Sequence, residues 1–247
     1  MIASLPWYDF NETSGLLDQF WTRFREKSEA KWANALPKSL DRKTPHLNAL
    51  MSKNLVMTQT CGYDIFARTP GPLKIIATPI YQTDGASSGR YSSFLVSRKA
   101  SKINSLKAGM KFGRFVANDS RSFSGYHCVR EQGPVQVKWS GGHLQSIEMI
   151  NKDLADWAAI DVVTWELVKK HRPKTIRNLE IFGQTRQVLA PPLVTNVSTS
   201  AAELEKMRCA LGRINEDPVG RQALGQLLIT GFCRFTELEY QESIGRI

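Results

Sequence analysis

The apolar residues of this 247-residue chain recur at two spacings, one typical of strands and one typical of helices. A short apolar run over residues 1–5 predicts a strand that ends at Pro6. The apolar residues from Leu16 to Phe24 then share one face of a predicted helix, which Asn11 or Thr13 can cap. Further strands are predicted at 55–58, 73–81, 91–97, 112–117, 135–139, 157–160 and 179–185. A short helix or turn is predicted at 61–68, and further helices are predicted from 125 onward and at 143–151, 162–171, 200–215 and 217–231.

This alternation of strands and helices predicts an α/β fold with mostly parallel sheets that are covered on both faces. The length exceeds that of a usual single domain, so two α/β lobes are expected. Ligands of such sheets bind beyond the C-terminal ends of the strands, often at the N-termini of helices. The residues that directly follow strands are therefore the candidates for function.

Composition and charge narrow the class of partner. The net charge of +10 favours an acidic partner such as nucleic acid, a membrane surface or a small anion. The basic residues are scattered, and their densest run, residues 169–172, closes a predicted helix and faces water. No zinc-finger spacing, aromatic ribonucleoprotein motif or basic tail accompanies them, so no nucleic-acid partner is expected.

Cysteine spacing and hydropathy exclude further classes. Cys61, Cys128, Cys209 and Cys233 lie far apart, which predicts small buried residues and neither a disulfide framework nor a metal site. No apolar stretch reaches the roughly 18 residues of a membrane span, so the protein is not expected to be membrane-inserted. The first residues lack the pattern of a signal peptide, so the chain is either a mature form or cytoplasmic.

The most informative segment is residues 115–126, where a strand leads into a polar turn and then a helix. Ser122 and Ser124 offer two hydroxyl donors, and Gly125 allows the backbone to approach a ligand closely. Free backbone N–H groups at the start of the helix favour negative charge. These are the parts of an anion site, although either serine could equally be an ordinary N-cap.

Four other segments follow or open strands in the same way. His143, after Ser140-Gly-Gly142, could donate a hydrogen bond to an oxyanion or lie at a helix start without a ligand. Asp161 could accept a hydrogen bond from a ligand P–OH or ammonium group, or could cap the next helix. The segments 59–63 and 91–93 are, taken alone, more typical of ordinary loop and strand positions.

Taken in order over nearly the whole chain, these segments resemble a known family, the phosphate/phosphonate-type periplasmic solute-binding proteins of ABC importers. The resemblance rests on five segments, namely Gln59-Thr-Cys-Gly-Tyr63, Tyr91-Ser-Ser93, Asn118-Asp119 with Ser122-Phe-Ser-Gly-Tyr126, Gly142-His143, and Ala158-Ala-Ile-Asp161. It implies the type II periplasmic-binding-protein fold, with one lobe formed by residues 1–95 and 191–247 and the other by residues 96–190. It also implies hinge crossings near 94–96 and 188–192, and a ligand cleft that closes between the lobes.

The resemblance further implies which residues contact a small oxyanion such as phosphate or a phosphonate. The expected ligand contacts are Tyr91, Ser93, Ser122, Ser124, Gly125, His143 and Asp161, with Tyr8, Gly62 and Tyr63 lining the cleft from the first lobe. Apart from His143 and Asp161 these are neutral groups, so hydrogen bonds are expected to select the ligand. No cofactor is implied, and the protein partner would be an ABC permease.

Three departures from the family pattern bear on the ligand. Phe123 stands where phosphonate binders often carry another hydroxyl, and Val163 stands where aminophosphonate binders carry an acid. The return segment Pro191-Pro192-Leu193 lacks a carboxylate. A bare oxyanion, or a ligand whose apolar arm rests on Phe123, Tyr8 or Trp165, therefore fits better than an amine-bearing phosphonate.

Two other classes of function remain open. Ser124, His143 and Asp161 could be imagined as a catalytic triad, but Ser124 is not in a Gly-x-Ser-x-Gly elbow. Residues 85–89 match that elbow but lead into a strand, which predicts a flexible turn instead. The fold could also serve as an intracellular ligand sensor, or bind a sulfonate or a pyrimidine.

Overall fold

The computed structural model describes residues 1–68 and 71–245, and the chain forms two compact α/β units. The first unit comprises Met1–Gln82 and Leu189–Ser243, and the second comprises Thr83–Val188 with Ile244 at the end of the last helix. Residues 83–95, which the sequence assigned to the first lobe, thus belong to the second unit, because residues 93–98 are a strand of its sheet. The second boundary falls inside the predicted crossing 188–192. The expected cleft, hinges and closure stay predictions.

The described residues form both strands and helices, and several elements of the same type follow one another along the chain. The strands are β1 (Ile2–Ser4), β2 (Leu55–Gln59), β3 (Leu73–Tyr81), β4 (Arg90–Tyr91), β5 (Ser93–Arg98), β6 (Phe115–Ala117), β7 (Val137–Trp139), β8 (Trp157–Asp161), β9 (Leu179–Gln184), β10 (Val188–Leu189), β11 (Leu193–Asn196) and β12 (Ile229–Cys233). The helices are α1 (Ser14–Lys27), α2 (Ala30–Ala33), α3 (His46–Met51), α4 (Gly62–Ala67), α5 (Leu106–Phe112), α6 (Cys128–Arg130), α7 (His143–Asn151), α8 (Val162–His171), α9 (Pro173–Ile176), α10 (Ala201–Glu216), α11 (Pro218–Gln226) and α12 (Glu237–Ile244). A π-helical turn, Phe123–His127, precedes α6.

The first unit is built on a five-stranded sheet in the order β1-β2-β11-β3-β12. Helix α1 buries Leu17, Phe20, Trp21 and Phe24. That face packs against α10 and α11 because its apolar residues recur at helical spacing. A capping box is present at the start of α10, where the side chains of Ser200 and Glu203 accept hydrogen bonds from each other's backbone N–H groups.

The second unit is built on a five-stranded sheet in the order β7-β6-β8-β5-β9. Its core contains the fully buried Trp157. The Trp157 ring lies at a tilt against Phe115, with ring centroids 4.4 Å apart. Its Nε1–H donates a hydrogen bond of 3.0 Å to the Gly109 carbonyl. Strands β6, β7 and β8 run parallel. Their C-terminal ends therefore meet at one edge of the sheet.

The expectation of mostly parallel sheets is wrong. Strand β11 pairs antiparallel with both β2 and β3, and β5 pairs antiparallel with both β8 and β9. These two strands form soon after the chain enters a unit from the other one. A strand that enters from outside need not follow the right-handed crossover that keeps strand–helix–strand units parallel, so it can insert in the opposite direction.

Among the differences from the predicted elements, two concern the position at which a helix is followed by a strand. Residues 229–233 form strand β12, whereas the sequence extended the preceding helix to Gly231. That helix ends because Leu228 takes the left-handed conformation, with φ at 62°. The strand predicted from Phe112 begins only at Phe115, since residues 106–112 are helical and Ser105 caps them.

Candidate functional site

Three predicted site segments of the second unit converge at the C-terminal edge of its sheet. The turn Phe123–His127 follows β6, helix α7 follows β7, and helix α8 directly follows β8. Because these three strands are parallel and adjacent, the residues that follow them come together. Ser122, Ser124, His143 and Asp161 lie within hydrogen-bond distance of one another as a continuous chain.

The turn that holds the two serines is shaped around Gly125. The Gly125 N–H donates to the Ser122 hydroxyl oxygen at 3.0 Å, and the N–H groups of Tyr126 and His127 donate to the Ser122 carbonyl. A Cβ on residue 125 would lie 1.8 Å from Oδ1 of Asn118. Glycine is therefore needed for close packing inside the turn. Its predicted role in approaching a ligand stays a prediction.

Ser93 stabilises the turn Phe123–His127 by hydrogen bonding. Its hydroxyl donates to the Ser124 carbonyl at 2.8 Å, and its backbone N–H donates to Oγ1 of Thr185 at 2.9 Å. The Cys128 thiol donates to the same Ser124 carbonyl. The single hydroxyl proton of Ser93 is thus already used, so Ser93 positions Ser124 and can offer a ligand only a lone pair. Tyr91, two residues earlier, is buried.

His143 and Asp161 define how protons are placed in the cluster. Nε2 of His143 lies 3.3 Å from Oδ2 of Asp161 and 3.1 Å from Oγ of Ser124. A carboxylate beside Nε2 favours the tautomer that carries its proton there, because a lone pair facing a carboxylate is repelled. Nε2–H is then the donor, and the Ser124 O–H remains available to donate to another acceptor.

Asp161 also caps helix α8. Its carboxylate accepts hydrogen bonds from the Thr164 N–H at 2.9 Å and from the Thr164 hydroxyl at 2.5 Å. The cap that the sequence raised as an alternative is therefore formed. It does not exclude a ligand contact, because a carboxylate has about four lone-pair sites and can serve the helix, His143 and a ligand together.

We expect the histidine of the cluster to make stability depend on pH. Burial lowers the pKa of His143 below its ordinary value of 6.5, although Asp161 and Asp119 act in the opposite direction. Since the unfolded chain binds this proton more readily, the free energy of unfolding falls as the pH drops through 6.5 toward the lower pKa of the folded state. Chemical denaturation between pH 8 and 5.5 measures this fall, and His143→Gln is expected to flatten it.

His127 provides the matched comparison for that measurement. Burial lowers its pKa as well, and its Nε2 lies 2.9 Å from the Ser120 carbonyl. His127→Gln should remove a separate part of the same pH dependence. If neither variant changes the slope, the loss of stability at low pH comes from other groups and the assignment to the buried histidines fails.

Phe123 lies inside the second unit with 1% of its surface exposed. The Arg186 guanidinium lies over its ring at 5.2 Å from the centroid, and Arg186 in turn forms a two-pronged ion pair with the nearly buried Glu131. Trp165 is also buried and packs edge-on against Phe94. Both rings are largely covered by protein, and the expectation that an apolar ligand arm rests on Phe123 or Trp165 stays a prediction.

The cluster does not have the arrangement of a Ser–His–Asp triad. In a triad the serine and the carboxylate contact different nitrogens of the imidazole ring. Here Ser124 and Asp161 both approach Nε2 of His143. With the proton on Nε2, the Ser124 hydroxyl faces a nitrogen that is already protonated, so the geometry is not that of a catalytic triad.

The remaining predicted contacts lie in the first unit. Tyr8 has φ at 63°, in the left-handed region that a bulky residue rarely adopts. Thr13 holds it there, since the Thr13 hydroxyl donates to the Tyr8 carbonyl. The Tyr8 ring meets Tyr81 edge-on with centroids 5.8 Å apart. Thr13 lies at the N-cap position of α1 as predicted, but its side chain bonds this loop and not the helix.

Gly62 and Tyr63 open helix α4 after strand β2. Gly62 is buried, and Tyr63 is partly exposed with its ring tilted against Phe66. The neighbouring Thr60 hydroxyl donates to the buried carboxylate of Asp64 at 2.5 Å. These residues stay predicted ligand contacts.

The segment 83–90 forms turns, as the sequence predicted, and its flexibility stays a prediction. It folds into two tight turns, with bridges between Thr83 and Ala86 and between Ser87 and Arg90. The Gly85 carbonyl accepts a hydrogen bond of 2.9 Å from the Ser92 hydroxyl. A strand follows this segment, as predicted, so it lacks the helix that a nucleophile elbow requires.

The cysteines only partly match their prediction. Cys61 and Cys128 are buried, whereas Cys209 is exposed and Cys233 partly exposed. Cys209 lies beside the buried face of α10, so helical periodicity turns it to solvent. Burial raises the pKa of the Cys128 thiol, which makes it a poor nucleophile.

Sequence reasoning did not include Asn118, Thr164 and Thr185 among the site residues. Asn118 packs against Gly125 with a buried Oδ1 that has no hydrogen-bond partner among the described residues. Thr164 and Thr185 bind Asp161 and Ser93. The position of Asn118 directly after β6 was a usable signal. The two threonines lie within a helix and after a strand end, where nothing in the pattern marks them.

Neither a metal site nor a membrane span is found in the described part of the chain. Residues 1–68 and 71–245 contain no group of three histidine, cysteine or acidic side chains placed to hold a metal ion. Among these residues, no helix is both long and apolar enough to cross a bilayer.

The fold is that of the type II periplasmic binding proteins, as solved structures of this class show. A binding protein component of an ABC phosphonate transporter from Pseudomonas aeruginosa matches with a TM-score of 0.77 and 17% identity, over 96% of this chain and 82% of that one. PhnD1 from Prochlorococcus marinus, solved with methylphosphonate, matches with a TM-score of 0.69 and 20% identity, over 94% and 93%. A Xanthomonas citri protein bound to ATP matches with a TM-score of 0.66 and 17% identity, over 94% and 92%.

The chain belongs to the family of periplasmic substrate-binding proteins of phosphonate ABC transporters, whose sequence pattern matches residues 54–240. The family predicted from the ordered segments is thereby confirmed. None of the curated proteins matches the sequence. The members of this family are substrate-binding components of transporters, which implies a small-molecule ligand and a permease partner.

Proposed function

We propose that this protein binds a small phosphorus oxyanion, a phosphonate or phosphate, through Ser122, Ser124, His143 and Asp161, and delivers it to an ABC permease in the periplasm. The observation that carries the proposal is the chain of contacts from Ser122 to Asp161 at the C-terminal edge of one sheet. Membership in the family and the methylphosphonate found in PhnD1 support it. The protein acts as a binding component and not as an enzyme.

The donor set favours an oxyanion that carries a proton. The hydroxyls of Ser122 and Ser124 can donate to anionic oxygens, while Nε2–H of His143 faces Asp161 and Ser124 and leaves the Ser124 O–H free for the ligand. The buried carboxylate of Asp161 would repel a bare anionic oxygen but accept a hydrogen bond from a P–OH group. A phosphonate can carry that proton near neutral pH, whereas a sulfonate cannot. We therefore expect a phosphonate to bind at least about tenfold more tightly than the sulfonate of the same shape.

The amine-bearing phosphonates fit this unit less well. Val163 is fully buried beside Asp161, and Asp161 already accepts two hydrogen bonds from Thr164. An ammonium group would therefore find no second carboxylate at that position. Methylphosphonate and inorganic phosphate are the proposed ligands of choice.

The removal of one hydroxyl tests the site. Ser124→Ala is expected to weaken the binding of methylphosphonate by about tenfold, the effect of one lost hydrogen bond to a charged ligand. The melting temperature of the empty protein should stay nearly unchanged, because the Ser124 carbonyl keeps its contacts to Ser93 and Cys128 and Asp161 still accepts from Nε2–H of His143. Isothermal titration and thermal shift measure the two effects, with phosphate, sulfonates, pyrimidines and ATP as further probes.

Ser120→Ala is the matched control, since Ser120 is exposed in the same loop and its side chain makes no hydrogen bond with a described residue. It should bind like the parent protein. Unchanged affinity in Ser124→Ala would remove the cluster from the binding site. Stabilisation by a sulfonate or pyrimidine, but by neither phosphorus oxyanion, would replace the proposed ligand class.

A further inference from the structure

The positive charge of this protein is concentrated in one of its units. Residues 83–188 contain 17 basic and nine acidic side chains, a net charge of +8. Residues 1–82 and 189–243, which form the first unit, contain 15 basic and 14 acidic side chains, a net charge of +1. The second unit alone therefore accounts for most of the chain's charge of +10.

Most of these cations lie at the end of the sheet opposite Ser122, Ser124, His143 and Asp161, which we call the oxyanion cluster. That end is where β5 finishes and where β6 and β8 begin, so it lies at the other edge from Ser122 and Asp161. The Lys99 N–H donates to the Asn178 carbonyl at 3.0 Å, which brings the loops after β5 and before β9 together. Helix α5 lies at the same end of the sheet, because its Gly109 carbonyl accepts a hydrogen bond from Trp157 at the start of β8.

Two of the acidic side chains at this end are already neutralised. Asp153 and Asp156 both pair with Arg98 and Arg114, at 2.6 to 3.4 Å. Glu180, on β9, is a further acid there. Six exposed cations at this end have no acidic partner among the described residues, namely Lys99, Lys102, Lys107, Lys111, Lys174 and Arg177. We name this set the basic end.

Exposed apolar side chains lie among these cations. Phe112, the last residue of α5, has 73% of its surface exposed, and the Lys111 ammonium lies 4.9 Å from the centroid of its ring. Leu154 has 47% of its surface exposed. Both line an open groove of about 880 Å³ that also includes Lys111, Arg114 and Lys138. Exposed apolar side chains that line one groove and are surrounded by charged residues are typical of a protein or membrane interaction surface.

We propose that the basic end docks this protein on an anionic phospholipid surface. Four of its six cations are lysines on α5 or in the loop before it, and their long side chains suit diffuse attraction to many headgroups. Phe112 is placed to enter the headgroup region as a small apolar anchor, as in interfacial membrane binding. An acidic protein segment is disfavoured because the cations spread over several loops and do not line the groove as one stripe. The orientation leaves the oxyanion cluster at the other end of the unit free of the membrane.

Vesicle co-sedimentation tests this surface directly. The full chain should bind vesicles of phosphatidylcholine with about one-third phosphatidylglycerol and not pure phosphatidylcholine, and should dissociate as salt rises from about 0.05 to 0.5 M. The double variant Lys107→Glu with Lys111→Glu should reduce the bound fraction at least tenfold. Phe112→Ser should reduce it by a smaller factor and leave the salt dependence in place.

The control variant is Lys31→Glu with Lys53→Glu in the first unit, where both lysines are exposed and unpaired among the described residues. It changes the net charge equally and should bind the vesicles like the parent. Equal loss in both double variants, no dependence on phosphatidylglycerol, or tighter binding to polyglutamate than to vesicles would each overturn the proposal. Methylphosphonate titrations of the same variants keep this result separate from the oxyanion site, because the two ends share no residue.

Discussion

Replacement of Asp161 by alanine is expected to reduce both the stability and the ligand affinity of this protein. The carboxylate accepts two hydrogen bonds from Thr164 at the first turn of α8 and faces Nε2 of His143 at 3.3 Å. Its loss leaves a buried N–H, a buried hydroxyl and the imidazole without their acceptor. N-cap loss and the loss of charge-assisted hydrogen bonds together cost about 2 to 4 kcal/mol of unfolding free energy.

Thermal unfolding measures that effect, and each kcal/mol corresponds to about 2 to 4 °C for a chain of this size. Asp161→Asn is the comparison variant, because the amide oxygen can still accept from Thr164. It should recover most of the stability but lose the preference for a phosphonate over a sulfonate, since no charged acceptor then meets the P–OH group. If the alanine variant has the same melting temperature as the parent protein, the stability of α8 does not depend on this cap.

Replacement of Gly125 by alanine is expected to abolish the oxyanion site. The new Cβ would lie 1.8 Å from Oδ1 and 2.7 Å from Cγ of Asn118, and 3.2 Å from Oγ of Ser122. Asn118 is short, so it can withdraw only by changing its rotamer, and the turn must widen. Overpacking of this kind costs about 1 to 3 kcal/mol. The same movement displaces Ser122 and Ser124, so methylphosphonate binding should fall below detection in a titration.

Gly212→Ala in α10 is the matched control. No atom lies within 4 Å of the added methyl group there, apart from the helix's own backbone and the chain neighbours. Alanine in a helix interior is favoured over glycine, so the control should be as stable as the parent or slightly more stable. If Gly125→Ala instead binds methylphosphonate with parental affinity, the close packing of the turn is not what positions the two serines.

Several local elements follow from sequence alone because their signals are carried by neighbouring residues. Helices α7 and α8 begin and end where the apolar periodicity and the flanking polar residues predicted. The capping box of Ser200 and Glu203 and the start of α11 at Asp217-Pro218 are further local signals, and both are present. Such interactions span three or four residues, so the chain order is sufficient to define them.

The sequence also predicted that the residues of the oxyanion cluster lie close together, because each of them follows a strand. The sequence did not define the role of each member. Ser93 and Ser124 are both buried serines, yet the hydroxyl of Ser93 is engaged by the Ser124 carbonyl across 31 residues, while that of Ser124 faces His143. Similarly, Phe123 is covered by Arg186 from 63 residues away. Which hydroxyl remains available is decided by partners that are distant in sequence.

The sequence by itself determined many of the strands and helices, the family and the order of the polar turns, because periodicity, caps and short motifs depend on near neighbours. Tertiary structure alone decided that β5 and β11 insert antiparallel and that Ser124 and Asp161 share one nitrogen of His143. It also decided that the excess cations collect at one end of one unit. Strand direction, shared hydrogen-bond atoms and the position of a charge on a surface all depend on which distant segments pack together, and a linear pattern does not encode that pairing.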